Sequence, residues 1–219
     1  MDETRETDDI ERIRDEARRL YADDPAHGWE HALRVETTGV RLAREEDADV
    51  RVVRLGALLH DIGRAKEARG EVDDHAAWGA EEARRILDGR VDDEIRDAVV
   101  HCVEAHRYST GPEPRTVEAR VVSDADDLDA LGAVGVARVL YHSGVSGCSD
   151  DSDISDCSDT YNDFDAAAEH AREKLLSLRD GMHTETARRL AEERHAYLAE
   201  FFERFDEERQ PSTKRSGSS

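Results

Sequence analysis

Apolar residues recur at intervals of three and four positions along most of the chain, the period of helices that bury one face. No stretch sustains the alternation of apolar and polar residues that a half-buried strand shows. The pattern therefore predicts an all-α fold. The predicted helices run, in chain order, over Ile10–Tyr21, Pro25–Glu46, Asp49–Leu59, His75–Leu87, Asp92–Val103, Thr116–Asp129, Leu131–Tyr141, Phe164–Arg179 and Thr184–Phe205.

Several of these helices follow residues that suit a helix start. Asp24 is placed to cap the second helix, with Pro25 in the first helical position, and Asp49 is placed to cap the third. Asp73 or Asp74 can cap the fourth helix. These signals predict boundaries that periodicity alone leaves open.

The length of 219 residues suits one domain with one large core. Residues 1–209 are predicted to form this domain. The segment 142–163 is rich in Ser, Asp and Gly and lacks Lys and Arg, so it is predicted to be a flexible insertion. The polar tail 210–219 is predicted to be disordered.

The insertion contains the stretch "DDSDISDCSD", which resembles part of a calcium-binding EF-hand loop, with Asp151, Asp153 and Ser155 at alternate positions. Asp156 stands where that loop requires glycine, and Asn162 where it requires a bidentate glutamate. A solvated acidic loop is therefore the favoured interpretation, and specific calcium binding is the alternative.

The net charge of −22 bears on the partners of the protein. Nucleic acid and anionic membranes need clustered cations, so neither is expected as a partner. Lysine occurs only at Lys66, Lys174 and Lys214, and acidic residues are spread along the chain, which is typical of an enzyme from a salt-loving cytoplasm. An acidic protein from a GC-rich genome is the alternative. The chain starts without a signal pattern and has no membrane-length apolar run, which predicts a soluble cytoplasmic protein.

Histidines and carboxylates recur at predicted helix ends that face the core. His27 and His31 share a helix face, and the doublet His60–Asp61 ends the apolar stretch "LLHDIG". A further set occupies similar positions: His75, His101, Asp124 and Asp126. Because unpaired buried carboxylates are costly, a shared divalent cation is the simplest way to satisfy several of them together.

The ordered motifs resemble those of the HD-domain phosphohydrolase superfamily. The matching residues are His31 in "HGWEHALRV", His60 and Asp61 in "LLHDIG", and Asp126 in "SDADDLDALGA". The stretches "DADDLDALGAVGVAR" and "EKLLSLRDGMHTETARRLAEERH" are similar to a small bacterial and archaeal subgroup of stand-alone proteins. The resemblance covers roughly residues 25–205.

This resemblance implies an HD-domain helical bundle of about eight helices around a metal site. His31, His60, Asp61 and Asp126 would be the metal ligands, with Asp124 as a rival to Asp126. This mixed nitrogen and oxygen set suits Mn²⁺ as the first expectation, with Mg²⁺, Fe²⁺, Co²⁺, Ni²⁺ or Zn²⁺ as alternatives. The implied reaction is hydrolysis of a nucleotide phosphate ester or phosphoanhydride by a metal-activated water that Asp61 can also orient.

Further residues are assigned roles by the same resemblance. His75 and His101 are similar to histidines that bind a second metal in binuclear relatives or phosphate in mononuclear ones, and phosphate contact is favoured. Lys174, in the subgroup's "EKLL", is expected in the catalytic set, with His170 beside it. The expected substrate-binding residues are Arg34, Arg64 and Lys66, although Arg34 and Arg64 could equally be solvated helix charges.

Two positions depart from the subgroup's pattern. Asp127 replaces an arginine, and Gly28 replaces the aspartate that usually follows the first histidine of the "HDxxH" motif. Any phosphate contact made by that arginine is therefore absent here or supplied elsewhere.

Two other classes of function remain open from the sequence. One is a non-catalytic HD module that binds a nucleotide or metal and regulates a partner. The other is an acidic interaction protein that works through the Asp-rich segment 142–163. The enzyme is favoured because all four ligand positions are intact. The expected partner is a small phosphorylated substrate, and the chain is expected to be a monomer or homodimer.

Overall fold

A computed structural model describes residues 3–24, 26–107, 111–146, 172 and 175–209. Within these ranges the secondary structure is helical, with no strand, which confirms the all-α prediction. None of the described helices is long and apolar enough to cross a bilayer. The helices are α1 (Glu3–Arg18), α2 (Trp29–Glu45), α3 (Val50–Leu59), α4 (Arg64–Ala68), α5 (His75–Leu87), α6 (Asp93–Glu104), α7 (Val117–Ala130), α8 (Ala133–Ser146) and α9 (Glu185–Arg209).

Helix α3 lies at the centre of the bundle and contacts α1, α2, α6 and α7. Its sequence explains this position, because Val53, Leu55, Leu58 and Leu59 are fully buried. Helices α2 and α7 also pack on each other, and α5 packs on α6. Because the ends of α2, α3 and α7 meet, residues that are far apart in the sequence converge on one place.

Two predicted helix starts are confirmed by the capping contacts. The side chain of Asp49 accepts hydrogen bonds from the backbone N–H groups of Arg51 and Val52 at the start of α3. Asp74, rather than Asp73, accepts from Ala76 and Ala77 at the start of α5. Each carboxylate thereby satisfies backbone donors that lack a partner within the helix.

The predicted start of α2 is wrong by four residues. Asp24 Oδ1 accepts a hydrogen bond from the Ala26 N–H at 2.8 Å, which makes a turn rather than a helix cap. The helix begins at Trp29 after Gly28, where a Cβ atom would lie 2.2 Å from the Asp24 carbonyl oxygen. The close approach of these backbones explains why Gly28 stands where the subgroup has an aspartate.

The remaining differences concern short or terminal segments. Helix α1 ends at Arg18, before the predicted limit of Tyr21, and α9 extends to Arg209, beyond Phe205. Helix α4 has five residues and buries none of them, so it left no periodic signal.

Parts of the predicted C-terminal half lie outside the described residues. These are the tail 210–219, the segment 142–163 after residue 146, and the predicted helix Phe164–Arg179 apart from 172 and 175–179. The backbone of residues 142–146 belongs to α8, and a 3₁₀ turn at Arg179–Gly181 precedes α9.

Candidate metal centre

Four of the predicted ligands converge at the ends of three helices. His31 lies in the first turn of α2, His60 and Asp61 directly follow α3, and Asp126 lies in α7. His31 Nε2 is 3.2 Å from both His60 Nε2 and an Asp126 carboxylate oxygen. An Asp61 oxygen lies 4.0 Å from His31 Nε2 and 3.8 Å from His60 Nε2. The donor atoms of His31, His60 and Asp126 are close enough together to bind one cation, and Asp61 borders this group and a second one.

A second group of donors meets the other oxygen of Asp61. His75 Nε2 lies 3.2 Å and His106 Nε2 3.6 Å from Asp61 Oδ1, and the two imidazole nitrogens are 3.4 Å apart. All three side chains are buried. Asp61 therefore stands between two pairs of histidines, one on each of its carboxylate oxygens.

The four histidines are oriented by hydrogen bonds from their Nδ1–H groups. His31 donates to Asp129 at 2.7 Å, and His75 donates to Glu67 at 2.8 Å. His60 and His106 each donate at 2.7 Å to the carbonyl oxygen three residues earlier, which belongs to Ala57 in α3 and to Val103 in α6. These bonds leave every Nε2 lone pair facing the cluster, which is the tautomer that metal ligation requires.

The protonation states also suit a cation site. Burial raises the pKa of Asp61, but the neighbouring His60, His106 and His75 outweigh it and hold the pKa well below its usual range. Asp126 is likewise held below its usual pKa, because the hydrogen bond with His31 outweighs burial. Burial lowers the pKa of His60 to about 4, so this imidazole is neutral at physiological pH.

Two histidines shift in the opposite direction. Burial lowers the pKa of His31, but its hydrogen bonds to Asp126 and Asp129 outweigh burial and raise the pKa above 6.5. The pKa of His106 is also raised, because its interaction with Asp61 outweighs burial. These two imidazoles are therefore the ones that most readily hold a second proton.

Asp129 anchors one side of the site. Its carboxylate accepts from His31 and also from Arg34 Nε at 2.7 Å, Arg34 Nη2 at 2.9 Å and Arg138 Nη1 at 2.9 Å. Burial raises the pKa of Asp129, but the bonds to His31 and Arg34 outweigh it and hold the pKa below its usual range. The carboxylate is therefore ionised and fixes the plane of the His31 ring.

The structure places the two candidate aspartates, Asp124 and Asp126, in different surroundings. Its carboxylate accepts from the backbone N–H groups of His183 and Thr184 at 2.7 and 2.8 Å, and from the Thr184 hydroxyl at 2.7 Å. Asp124 thus holds the start of α9 against α7 and is not among the donors grouped with the histidines. Asp126 is the aspartate that the fold brings to the cluster.

A cavity of about 380 Å³ opens beside these donors. Asp61, Asp126, His75 and His106 face it on one side. The cationic residues on its wall are Arg64, Arg107 and Arg138. His27 also lines it; burial, followed by the nearby Arg64, lowers the His27 pKa to about 3, so this imidazole is neutral. The cavity therefore combines a carboxylate and imidazole floor with an arginine wall.

The structure does not bring His101 into this site, which corrects the expectation from the sequence. His101 Nε2 accepts the backbone N–H of Arg115 at 3.0 Å, and His101 belongs neither to the donor groups nor to the lining of the cavity. The position beside Asp61 that was expected for His101 is occupied by His106, five residues later. The end of α6 lies beyond His101, so the last histidine of "VVHCVEAH" is the one that reaches the centre.

The predicted phosphate-binding residues separate into two groups. Arg64 lines the cavity and donates to His27 Nε2 at 3.2 Å. Arg34 instead binds Asp129, and Lys66 pairs with Glu71 at 2.9 Å while lying 5.2 Å from the centre of the Trp78 ring. Lys174 and His170 lie outside the described residues.

Sequence reasoning missed His106, Asp129, Arg107 and Arg138. A signal for His106 existed, because it ends an apolar helix just as His60 does, and both rings bond the carbonyl three residues earlier. Asp129 follows Asp126 by three residues and so shares its helix face. The two arginines had no distinguishing local signal.

Comparisons with known proteins agree with this picture. The model of the HD domain matches residues 28–131. The Bacillus subtilis protein YpgQ is 31% identical over 210 residues, which cover 93% of this chain and 95% of YpgQ. Ribonuclease Y of Chloroflexus aurantiacus is 41% identical over 99 residues, but these represent only 17% of that protein.

Solved structures match over nearly the whole chain. Bacillus subtilis YpgQ in complex with ADP has a TM-score of 0.70 at 29% identity, covering 95% of this chain and 98% of that chain. A predicted HD superfamily hydrolase from an uncultured Thermotogales bacterium has a TM-score of 0.63 at 31% identity, covering 90% of both chains. With this similarity, this fold and this set of histidines and aspartates, the chain belongs to the HD superfamily of hydrolases.

Proposed function

We propose that the protein is a metal-dependent phosphohydrolase that cleaves a phosphate ester or phosphoanhydride bond of a nucleotide. The observation that carries this proposal is the convergence of His31, His60, Asp61 and Asp126, with each ring held so that its Nε2 lone pair faces the two carboxylates. Such an arrangement of buried charges is costly unless a cation completes it.

The donor set fits a divalent transition metal or Mg²⁺. Two imidazoles, which bind a metal in their neutral form, and two ionised carboxylates are the mixed ligands that Mn²⁺, Fe²⁺, Co²⁺, Ni²⁺ and Zn²⁺ accept, and Mn²⁺ is our first choice. A bound divalent cation would supply Lewis-acid chemistry, lowering the pKa of a bound water and polarising a phosphate oxygen.

The residues of the chain supply the other parts of the reaction. Asp61, placed between the two histidine pairs, is suited to orient a water molecule through its carboxylate. A protonated His106, whose raised pKa is due to Asp61, can donate its Nε2 proton to a phosphate oxygen. His75, held by Glu67, adds a second imidazole on the same side. We propose phosphate contact for this pair.

The wall of the cavity supports a polyanionic substrate. Arg64, Arg107 and Arg138 present guanidinium groups to the same cavity, and the guanidinium fork suits phosphate oxygens. These arginines can supply the positive charge that is missing at position 127, where Asp127 replaces the arginine of the similar subgroup. YpgQ has been crystallised with ADP, and this similarity favours a nucleotide as the substrate here.

The experiment is a turnover assay in high salt on metal-stripped protein. Mn²⁺, Mg²⁺, Co²⁺ and Ni²⁺ are added in turn with a panel of nucleoside mono-, di- and triphosphates, and phosphate and pyrophosphate are measured separately. We expect turnover that depends on metal, and a loss of at least about a hundredfold in D126N because a ligand is removed.

The matched control is D124N, which changes the same type of residue two positions earlier. We expect D124N to lower the melting temperature, because its contacts to Thr184 weaken, while its metal content at a permissive temperature stays that of the wild type. The absence of turnover with every metal would contradict the proposal that the protein is a phosphohydrolase. If the protein nevertheless bound nucleotide, the regulatory module would be the correct function.

A further inference from the structure

A second cleft lies at the opposite end of α2 from the metal centre. It has a volume of about 640 Å³ and is bordered by α1, the C-terminal half of α2, and α3. Arg44, which lines it, follows His31 by thirteen positions on α2, a distance of about 20 Å along the helix axis. The two cavities therefore share no lining residue.

The charge of this cleft is the reverse of that of the whole chain. The chain has 31 basic and 53 acidic residues. The ionisable residues lining the cleft are Arg14, Arg41, Arg44 and Arg54, together with Glu36 and Glu45. Four arginines against two glutamates leave two positive charges in excess, in a protein whose dense negative charge would otherwise repel an anion.

The contacts leave part of this positive charge available. Glu36 at the base of the cleft is only 8% exposed and pairs with Arg14 and Arg54, each at 3.3 Å. Glu45 lies 3.7 Å from Arg41, and it also pairs with Arg189 of α9 at 2.9 Å.

Arg44 has no ion-pair partner among the residues that the structure describes. An arginine in the last turn of a helix also interacts favourably with the helix dipole. That effect explains Arg44, the basic residue in the last turn of α2, but not the presence of Arg14 and Arg54 from two other helices at the same cleft.

We propose that this cleft binds a polyphosphate, the class that extends from inorganic pyrophosphate to nucleoside di- and triphosphates. Guanidinium groups from three helices can engage several phosphate oxygens at once, in the bidentate geometry that arginine favours. The volume lies within the range of small-molecule sites, about 300–1,000 Å³, and leaves room for more than a single phosphate. This site is separate from the metal centre and does not depend on the proposed reaction.

The test measures binding of labelled pyrophosphate by equilibrium dialysis, with divalent metals removed by chelation so that no turnover occurs. In R41Q/R44Q we expect the dissociation constant for pyrophosphate at the cleft to rise by at least about tenfold, because charged hydrogen bonds to phosphate are lost. The matched control is R84Q/R85Q, which removes two exposed arginines from α5 and should bind as the wild type does. Circular dichroism checks folding, and R44Q alone, which breaks no described ion pair, serves if the double variant unfolds.

A third variant separates the cleft from the catalytic cavity. R64Q/R107Q removes arginines of the cavity wall and should keep pyrophosphate binding at the cleft. Binding that is lost in R64Q/R107Q and kept in R41Q/R44Q would overturn the proposal, as would equal binding by all variants or no binding by the wild type. Nucleotide turnover should persist in R41Q/R44Q. Failure of polyphosphate binding at the cleft can therefore be distinguished from failure of the proposed hydrolysis at the metal centre.

Discussion

The chemistry of the site depends on hydrogen bonds that fix single imidazole rings. His31, His60, His75 and His106 each use Nδ1 in a bond to a carboxylate or a backbone carbonyl. Only Nε2 is then left to bind a cation or a phosphate oxygen. Backbone carbonyls and buried carboxylates are acceptors whose positions the fold sets, so the donor geometry is prepared before any ligand arrives.

A pair of variants tests which of the two histidines near the C-terminal end of α6 serves the site. In H106Q we expect turnover to fall by about a hundredfold, because the imidazole beside Asp61 is lost as a proton donor. In H101Q we expect turnover close to that of the wild type, because the one described hydrogen bond of the His101 side chain is with the Arg115 backbone N–H. The reverse order of effects in steady-state kinetics would show that His106 is wrongly assigned.

The affinity for metal should weaken on acidification from pH 8 to pH 6. Binding requires neutral imidazoles, and the His31 pKa is raised above 6.5, whereas burial holds the His60 pKa at about 4. As the pH falls, His31 is therefore the first of the two imidazoles whose protonation competes with metal binding. Each proton that is released when the metal binds changes the dissociation constant by up to about tenfold per pH unit. Calorimetric titration of Mn²⁺ at pH 8, 7 and 6 measures this. A dissociation constant that is the same at all three pH values, or that decreases from pH 8 to pH 6, would contradict this prediction.

At the level of helices, the site is assembled where elements end. His60 and Asp61 follow α3 directly, and Gly63 then allows the chain to pass close to the start of α5. A Cβ atom on Gly63 would lie 2.4 Å from the carbonyl oxygen of His75. Helix α5, and with it His75, can reach Asp61 only because this position has no side chain.

The variant G63A tests the close approach. We expect a loss of about 1–3 kcal/mol in the free energy of unfolding, together with reduced turnover, because the His75 backbone must move. The control is G89A, whose positive φ of 68° costs about 1–2 kcal/mol but whose added Cβ meets nothing within 4 Å. Chemical denaturation and kinetics separate the two effects. Full turnover in G63A would mean that the spacing is not required.

The sequence was sufficient for most elements because each buries one face. Caps at Asp49 and Asp74 were correct, since each satisfies backbone donors locally. Helix α4 was missed because it buries no residue, and the start of α2 was misplaced because the turn between Asp24 and Gly28 is set by a backbone approach.

The site was predictable to a similar extent. The four proposed ligand positions follow a pattern in the sequence, but the choice of His106 over His101 depends on where α6 ends. The pairing of Asp129 with His31, 98 positions apart, depends on how α2 packs on α7. Neither is encoded in a short stretch of residues.

At the scale of the whole molecule, the net charge of −22 sets the conditions for stability. We expect the melting temperature to rise by about 5 °C or more between 0.1 and 2 M KCl, because the screening length falls from about 10 Å to below about 3 Å and the repulsion between carboxylates weakens. Differential scanning calorimetry measures the shift. A melting temperature that is unchanged or lower in salt would contradict the prediction of a salt-adapted protein.

The most direct measurement is the position of a bound metal. Crystals grown with Mn²⁺ and measured at the manganese absorption edge should give an anomalous peak about 2.0–2.3 Å from His31 Nε2, His60 Nε2 and an oxygen each of Asp61 and Asp126. The same data from D126N crystals should show the peak lost or strongly reduced. A wild-type peak bound by other residues, or none at saturating Mn²⁺, would contradict the assignment of these four side chains.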